Sequence, residues 1–229
     1  RAGSKSVLDK NILDANGSPL FSHPIRKANQ SRYISAVFCS TNHSQILDQG
    51  KRYNYTPIKR PQELCRDNSS HHEAIKHGVI EIEKVMGRLD IIVVLLGNTL
   101  GAEAVDLDSA IESLGKNDSV VSVNEMNMFN PSRSWVVRDG LCSTLFSPEA
   151  QSLSSGKGLP NDKNYLGNIY FFNGNFWVIK RECVFQKGNN PFPWLGKSIK
   201  PYIQKEVFME IDAPWQKDYL LSQLSKPIK

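Results

Sequence analysis

The feature that most constrains the fold is a short run of apolar side chains at residues 91–96, in which isoleucine, valine and leucine follow one another without a polar break. Asp90 precedes the run and Gly97 follows it. A β-branched segment of this length is typical of a strand covered on both faces, as in the centre of a parallel sheet. Because it is the longest apolar run in the chain, no segment is predicted to span a bilayer.

Segments with helix and strand patterns alternate around this run. Residues 70–86 carry apolar side chains three or four positions apart, from Ile75 to Met86, which places them on one helix face. The other elements predicted in this part of the chain are helices at 44–49 and 106–114 and strands at 31–40, 53–58 and 119–123. The alternation predicts an α/β fold with a mainly parallel sheet and right-handed crossovers.

The length of 229 residues is compatible with a single domain. The composition and the periodicity of the sequence change after Met126. Residues 130–165 are rich in serine, glycine and asparagine and show little periodicity. The regular pattern then returns, and it predicts a strand at 168–172, a helix at 175–183, a strand at 206–212 and a C-terminal helix from Pro214. Proline in the first turn of a helix fits that last start.

Composition narrows the class of protein. The chain is 40% hydrophobic and 22% charged, which excludes a disordered or collagen-like protein. Its net charge of +5 favours anionic ligands but does not by itself indicate nucleic acid. The four cysteines form no CxxC pair, so we interpret them as reduced thiols of a cytosolic protein and not as a disulfide framework or a zinc site: Cys39, Cys65, Cys142 and Cys183.

A basic loop opens the chain. Arg1, Ser4, Lys10 and Asn11 supply cations and hydrogen-bond donors, and a glycine at position 3 permits close backbone approach. Such a loop ahead of a helix suits a polyphosphate, although an ordinary solvated basic loop has the same composition. Phosphate loops of α/β folds normally follow the first strand, so we expect an apolar strand of about eight to ten residues to precede Arg1 in the complete reading frame.

Two carboxylates near the C-terminus form a candidate metal site. Glu210 and Asp212 are two residues apart on a predicted strand, so both would face the same side. Hard oxygen ligands at a strand end suit Mg²⁺ beside substrate phosphates, and two solvated charges are the alternative. His71, His72 and His77 lack the four-residue spacing of the helical zinc motif, so they predict a polar helix face.

Several short motifs occur in a fixed order along the chain. They are Arg-Ala-Gly-Ser-Lys at 1–5, Lys-Asn at 10–11, Gly-Ser-Pro-Leu at 17–20, Ser-Thr-Asn at 40–42, Arg-Pro-Gln-Glu-Leu at 60–64 and Asp-Asn-Ser-Ser at 67–70. Together with the late acidic strand, this order resembles the acylneuraminate cytidylyltransferase family, which comprises the CMP-sialic acid synthetases and relatives acting on 2-keto-3-deoxy sugar acids. The resemblance covers nearly the whole chain.

The resemblance implies a Rossmann-like nucleotidyltransferase fold in one domain, 1–229, whose residues 126–172 project as a dimerisation and acceptor-site element. It implies a cytoplasmic, Mg²⁺-dependent homodimer that joins CTP to a sugar acid such as a nonulosonic acid or a Kdo-like acid and releases pyrophosphate. Neither nucleic acid nor a membrane is implied as a partner. Another sugar nucleotidyltransferase, or a non-catalytic nucleotide-binding relative with the same fold, is the alternative.

The family's residue roles transfer where the motifs match. The resemblance gives Arg1 and Lys10 catalytic roles on the CTP phosphates. It assigns nucleotide binding to these two residues and to four others. Ser4 would also bind the phosphates, Asn11 would help to fix the loop, and Arg60 and Ser70 would lie against the cytosine. Asp212 would hold Mg²⁺ together with Glu210, which replaces the usual first aspartate and is one methylene longer.

The chain departs from the family on the acceptor side. Sialic acid enzymes follow the Leu-Leu strand with Gln-Pro-Thr-Ser-Pro-Leu-Arg, whereas Gly97, Asn98 and Thr99 begin this stretch here. Only Thr99 matches, and these three residues are the predicted sugar-binding set. The family's Arg…Asn-Gly-Ala-Ile-Tyr motif is also weakened, at 164–170. We therefore expect an acceptor other than plain N-acetylneuraminate.

Overall fold

The computed structural model describes residues 7–145, 168–186, 188, 191–208 and 210–224. Helices and strands alternate through its first part: α1 (Ser22–Gln30), β1 (Phe38–Thr41), α2 (Ser44–Leu47), α3 (Gly50–Tyr53), β2 (Thr56–Lys59), α4 (His71–Met86), β3 (Ile91–Leu95), α5 (Ala104–Ser113) and β4 (Ser119–Glu125). The later elements are β5 (Trp135–Arg138), β6 (Leu141–Thr144), β7 (Tyr170–Lys180), α6 (Arg181–Phe185), β8 (Ile199–Ile203) and α7 (Pro214–Leu224). The predicted α/β class is confirmed.

The strands of the described residues form three sheets. The main sheet has the order β3-β7-β4-β8, in which β4 and β8 are parallel and β7 runs antiparallel to both β3 and β4. Strands β1 and β2 form a parallel pair, and β5 and β6 form an antiparallel hairpin. Parallel ladders therefore join β1 to β2 and β4 to β8. The prediction that residues 91–96 form a central parallel strand is wrong for the described sheet, because β3 lies at its edge and its single ladder, to β7, is antiparallel.

The prediction of a helix at 175–183 is wrong, because β7 continues to Lys180 and α6 begins only at Arg181. Side chains alternate along β7: Phe176 and Val178 pack into one core cluster, and Trp177 and Ile179 into another. A strand that is buried on both faces has a continuous apolar sequence, which periodicity alone cannot distinguish from a buried helix.

The predicted strand at 206–212 is also wrong for its described residues, 206–208 and 210–212, which belong to no strand. Ile211 is nevertheless fully buried, and its amide donates to the carbonyl oxygen of Asn98 at 3.0 Å. The parallel partner of β4 is instead β8, which precedes this segment. The C-terminal helix begins at Pro214, as predicted.

The core lies on both faces of the main sheet. One cluster packs Val79 of α4 and Val184 of α6 against Trp177 of β7, and the other packs Leu107 and Ala110 of α5 on the opposite face. Packing on both faces holds β3 and β4 in place, and with them the loops that follow these strands. In the described part of the chain, no ladder joins β1 to β3, and both strands border a cavity of about 730 Å³.

The predicted projecting element, 126–172, is only partly described, since residues 146–167 lie outside the described ranges. Its described part contains the β5–β6 hairpin, on which Trp135, Val137 and Leu141 are 63%, 67% and 76% exposed. Among the helices of the described ranges, none has both the length and the apolar character needed to cross a bilayer.

Candidate active site

Most of the predicted site residues border the cavity between β1 and β3. Those that do are Lys10, Asn11, Arg60, Ser70, Gly97, Asn98, Glu210 and Asp212. The carboxyl ends of β1 and β3 meet at this cavity, since Ser40, Thr41 and Leu96 also border it. Arg1 and Ser4 lie outside the described residues.

Lys10 joins the opening loop to the C-terminal acidic segment. It begins a short 3-10 turn, Lys10–Ile12, and Asp9 before it has a left-handed backbone, with φ of 49°. The Nζ atom of Lys10 donates to Oδ1 of Asp212 at 2.7 Å and to the carbonyl oxygen of Ile211 at 2.9 Å. The Asp212 side chain is 57% exposed. Lys10 is thus joined to Ile211 and Asp212, which lie 201 and 202 positions further along the sequence.

Glu210 is the more buried of the two candidate metal ligands. Burial raises its pKa above the ordinary value, and the nearby Asp212 carboxylate raises it further. Nδ2 of Asn98 donates to Oε2 of Glu210 at 3.3 Å. Gly174, with φ of +74°, allows close approach, because a Cβ atom there would lie 3.3 Å from Oε1. The carboxylates of Glu210 and Asp212 repel one another, so together they suit a hard cation that would offset their charge.

The donor set is small. In the part of the chain that the structure describes, no group of three or more histidine, cysteine, aspartate or glutamate side chains could hold a metal ion. Mg²⁺ commonly uses one or two carboxylates and completes its octahedron with water and substrate phosphates. Glu210 and Asp212 therefore fit a Mg²⁺ that is shared with a phosphate substrate.

Arg60 and Ser70 form another part of the cavity wall. Arg60 follows β2, and its guanidinium donates to Oγ and to the carbonyl oxygen of Ser40, at 3.1 and 2.8 Å. Ser70 caps the N-terminus of α4, since its Oγ accepts from the amide of His72 at 3.1 Å. The positive end of a 16-residue helix dipole consequently adjoins the cavity beside a cation. Such an arrangement favours an anionic ligand.

The loop that follows β3, here called the 97–102 loop, carries the predicted sugar-binding residues. A Cβ atom at Gly97 would lie 3.5 Å from Cβ of Phe21 and 3.8 Å from Cγ of Asn11, which is ordinary contact. Asn98 is buried, and its Nδ2 also donates to the carbonyl oxygen of Ile211 at 3.3 Å. Thr99 is fully buried and lies behind the cavity wall, where its hydroxyl donates to the carbonyl oxygen of Leu96.

Sequence reasoning missed the contribution of β7. Asn173 and Gly174 bring this strand against Glu210, where the ladder between β4 and β7 shifts register. An Asn-Gly pair inside a run of aromatic residues is a signal for such an irregularity, because glycine readily adopts a left-handed backbone.

His72, one of the histidines expected on a polar helix face, instead packs against other parts of the chain. Nε2 of His72 lies 2.6 Å from the carbonyl oxygen of Val184, and the ring packs on Trp194 at a centroid distance of 5.8 Å.

The four cysteines are free thiols, as the sequence predicts. Burial raises the pKa of Cys39, which borders the cavity, to about 11, so this thiol is protonated at neutral pH.

Comparison with known proteins gives the family. A family model described as "Cytidylyltransferase" matches residues 1–224. The chain is 28% identical over 222 residues to N-acylneuraminate cytidylyltransferase A of Danio rerio, covering 93% of this chain and 47% of that protein. It is 27% identical over 234 residues to CMP-N,N'-diacetyllegionaminic acid synthase of Legionella pneumophila, covering 97% and 91%. The chain thus spans about half the length of the Danio rerio relative and nearly all of the Legionella pneumophila one.

Solved structures agree on the fold. The structure of a CMP:2-keto-3-deoxy-manno-octonic acid synthetase complexed with CTP superposes with a TM-score of 0.68 at 15% identity, covering 98% of this chain and 95% of that one. A 4-diphosphocytidyl-2C-methyl-D-erythritol synthase from Anaerococcus prevotii gives 0.62 at 10% identity, with the same coverage. These likenesses show a nucleotidyltransferase fold, and the family match over residues 1–224 shows that the chain belongs to the cytidylyltransferase family.

Proposed function

We propose that this chain transfers CMP from CTP to a 2-keto-3-deoxy sugar acid and releases pyrophosphate. The observation that carries the proposal is the meeting of Lys10 with Asp212 at a cavity that Arg60 and Glu210 also border. Cations for phosphates and hard oxygen atoms for a divalent metal thus line one space. Support comes from the family match and from relatives that are named for acylneuraminate and legionaminic acid.

The nucleotide would occupy the side of the cavity between the opening loop and α4. Lys10 and Asn11 border it from one side, and Arg60 and Ser70 from the other. The sequence motif adds Arg1 and Ser4 to this set. Charge-assisted bonds from Lys10, and from Arg1 by the sequence motif, to phosphate would supply much of the affinity for the triphosphate, and Arg60 and Ser70 would lie against the cytosine.

The reaction would be one direct displacement. The anomeric hydroxyl of the sugar acid attacks the α-phosphorus of CTP and loses its proton to water, a new P–O bond forms, and the bond to the leaving pyrophosphate breaks. Lys10 would exchange its contact with Asp212 for phosphate oxygens and stabilise the charge that develops there. The residues act by positioning and by electrostatic stabilisation, without a covalent intermediate on the protein.

Glu210 and Asp212 are the residues that would hold Mg²⁺. The cation would neutralise charge on the phosphates of bound CTP. Asn98 would keep the Glu210 carboxylate in place through the bond from its Nδ2. Because Glu210 is more buried than Asp212, the two carboxylates would approach the metal from different depths.

The 97–102 loop would contact the sugar acid, with Gly97, Asn98 and Thr99 as the predicted set. Gly97 and Asn98 border the cavity, whereas Thr99 would act by shaping the loop from behind. Since the sequence here differs from that of the sialic acid enzymes, the acceptor would be a related acid other than N-acetylneuraminate.

The active form would be a cytoplasmic homodimer that uses residues 126–172 as its dimerisation element. The exposed Trp135, Val137 and Leu141 of the β5–β6 hairpin support an interface there. The free thiols support a reducing compartment. Size-exclusion chromatography with light scattering measures the molar mass in solution and so tests whether the protein is a dimer. We expect no role for nucleic acid.

Pyrophosphate release is the decisive measurement. The purified protein is incubated with Mg²⁺, each of the common nucleoside triphosphates in turn, and a panel of 2-keto-3-deoxy sugar acids. We expect release that depends on both CTP and an acid of this class. Preference for a different triphosphate would indicate another sugar nucleotidyltransferase, and CTP binding without release under any condition would indicate a non-catalytic relative.

A further inference from the structure

A buried network of side-chain amides lies behind the 97–102 loop, with Gln204 at its centre. Gln204 directly follows β8 and is 9% exposed. Its Nε2 donates to the carbonyl oxygen of Gly101 at 2.7 Å and to Oδ2 of Asp106 at 2.9 Å. Its Oε1 accepts from Nδ2 of Asn173 and of Asn175, both at 2.8 Å. All four hydrogen-bonding positions of this amide are therefore used.

The network extends into the elements on both sides. Nδ2 of Asn173 also donates to Oδ1 of Asn124 on β4, at 2.9 Å, and its Oδ1 accepts from the hydroxyl of Ser122 at 2.6 Å. On the other side, the hydroxyl of Tyr202 donates to Oδ1 of Asp106, in the first turn of α5, at 2.8 Å. Buried polar groups that are bonded in this way hold the surrounding backbone in one arrangement.

The 97–102 loop is held at its two ends by different groups. At its start, Asn98 bonds to Glu210 and to Ile211. At its end, Gly101 bonds to Gln204 and packs so closely that a Cβ atom there would lie 2.4 Å from Nδ2 of Asn175. A shift of Gly101 would therefore be transmitted along three residues to Asn98.

We propose that Gln204 is a positioning residue for the acceptor side of the reaction. By holding the Gly101 carbonyl group, it fixes the end of the 97–102 loop. The inference rests on the proposed function, in which this loop contacts the sugar acid. Arg60 and Ser70 on the nucleotide side are held by other bonds, because Arg60 bonds to Ser40 and Ser70 bonds to the amide of His72.

The variant Gln204→Met tests this role, since methionine has a similar length but neither donates nor accepts these bonds. In hydrogen exchange without substrates, we expect amides at 98–102 to exchange at least about tenfold faster than in the wild type, and amides at 60–70 to stay within about twofold. Gln45→Met, at an exposed position of α2, is the matched control and should change neither region. Equal acceleration in both regions, or no acceleration at 98–102, would overturn the proposal.

Steady-state kinetics provides the second readout. With the sugar acid that the wild type uses best, we expect the KM for the acid to rise about tenfold in Gln204→Met and the KM for CTP to stay within about twofold. A purely structural role would move both KM values together and would contradict the inference. If the wild type releases no pyrophosphate with any acid, the proposed function fails, whereas the exchange experiment still decides whether Gln204 positions the loop.

A second variant covers the case in which Gln204→Met does not fold. In the double variant Gln204→Glu with Asp106→Asn, the new carboxylate can still accept from Asn173 and Asn175, and the amide introduced at position 106 can donate to it. The bond to the Gly101 carbonyl oxygen is replaced by a repulsive contact between two oxygen atoms. We expect the same local acceleration at 98–102, and unchanged exchange there would overturn the proposal.

Discussion

Lys10 and Asp212 neutralise one another in the absence of substrate. The Lys10 side chain is only 20% exposed, and its ammonium group makes two short bonds, so it is held in place before any phosphate arrives. Asp212 is more exposed and is free to turn toward a cation. Binding of a metal–triphosphate would therefore replace one ion pair by two stronger interactions, lysine with phosphate and carboxylate with metal.

Replacing Lys10 by alanine is expected to reduce catalysis while the fold is kept. A charge-assisted bond to phosphate contributes about 1.5–3 kcal/mol, so kcat/KM for CTP should fall at least about tenfold to a hundredfold. The measurement is pyrophosphate release at a fixed concentration of sugar acid, with circular dichroism to verify folding. Lys51→Ala, an exposed lysine of α3, is the matched control. Wild-type release by the Lys10 variant would show that this residue is an ordinary loop lysine.

The two candidate metal ligands should differ in sensitivity. Asp212→Asn removes the exposed carboxylate that pairs with Lys10, and we expect it to abolish most of the Mg²⁺-dependent release. Glu210→Gln should do less harm, because the new amide oxygen can still accept the bond from Asn98. Both variants are titrated with Mg²⁺ and compared with the wild type in excess EDTA. Full activity of the wild type in EDTA would discard the metal assignment.

At this scale, the motifs predicted a set of residues that the structure brings to one cavity, including Lys10, Arg60 and Glu210. They did not predict that Thr99 would lie behind the wall, because the direction of a side chain depends on the local backbone. The role of Gln204 was also beyond reach from sequence, since all four of its partners are at least 29 positions away.

At the scale of elements, the sequence predicted helix α4 and the short apolar strands β3 and β4. Helix α4 has its apolar positions on one face, and its predicted range, 70–86, differs by one residue from the observed His71–Met86. Strand β7 was divided into a strand and a helix, because Phe176 and Trp177 are both buried on opposite sides of the sheet. A local sequence pattern indicates that a residue is buried, but it does not indicate which neighbouring strand buries it.

Strand β8 was missed for the opposite reason. It is only five residues long and contains Pro201, and proline within a short run weakens a strand prediction. Its partner β4, by contrast, is buried over Ser119–Asn124 and bonds to it in parallel register. The proline is tolerated because β8 has a single strand neighbour in the described sheet, so the missing donor does not interrupt a second ladder.

An ion pair joins α4 to α6 and should make stability depend on pH. Both oxygen atoms of Glu83 accept from the guanidinium of Arg181, at 2.8 and 2.9 Å, and Oε1 also accepts from the amide of Leu89. These bonds, first that from Arg181, lower the pKa of Glu83 to about 2. Because the folded pKa is below the unfolded one, the stabilisation is complete above about pH 4.5 and is lost as the pH falls toward 2.

Thermal unfolding of the wild type and of Glu83→Gln between pH 7 and pH 2.5 tests this dependence. We expect the wild type to have the higher Tm at pH 7 and its advantage to shrink steadily below about pH 4.5, because protonation makes the two side chains alike in charge. Taking the difference between the two proteins removes the effect of the other carboxylates. A difference that stays constant down to pH 2.5 would contradict the lowered pKa of Glu83.

At the scale of the whole molecule, the function proposed above gives the cavity a nucleotide side and an acceptor side, which differ in how far the chain retains the motifs of the family. The nucleotide side is formed by the opening loop, Arg60 and the start of α4, where the chain retains the motifs of the family. The acceptor side is formed by the 97–102 loop, where it does not. Arg60 on the nucleotide side and Gly101 on the acceptor side are held by separate hydrogen bonds, and the two sides meet where Lys10 and Asn98 both bond to the carbonyl oxygen of Ile211.

This division predicts that the acceptor, and not the nucleotide, distinguishes the protein from the sialic acid enzymes. By resemblance, Gly97 occupies the position of a glutamine that reaches toward the sugar. Its absence removes a donor and an acceptor and opens space for a bulkier or differently substituted acid. In steady-state assays at saturating CTP, we expect poor turnover of N-acetylneuraminate and better turnover of another 2-keto-3-deoxy sugar acid. N-acetylneuraminate proving the best acid by about tenfold or more would show that Gly97 does not alter specificity.

The variant Gly97→Gln tests the same argument in the other direction. The backbone at Gly97 is not left-handed, and the nearest atom to an added Cβ is Cβ of Phe21 at 3.5 Å, so a side chain can begin there without a clash. We expect the ratio of kcat/KM for N-acetylneuraminate to that for the preferred acid to rise about tenfold, because a restored amide can again bond to the sugar. Gly97→Ala is the matched control, since it occupies space without offering a hydrogen bond. An equal change in both variants would mean that volume at this position, and not hydrogen bonding, selects the acceptor.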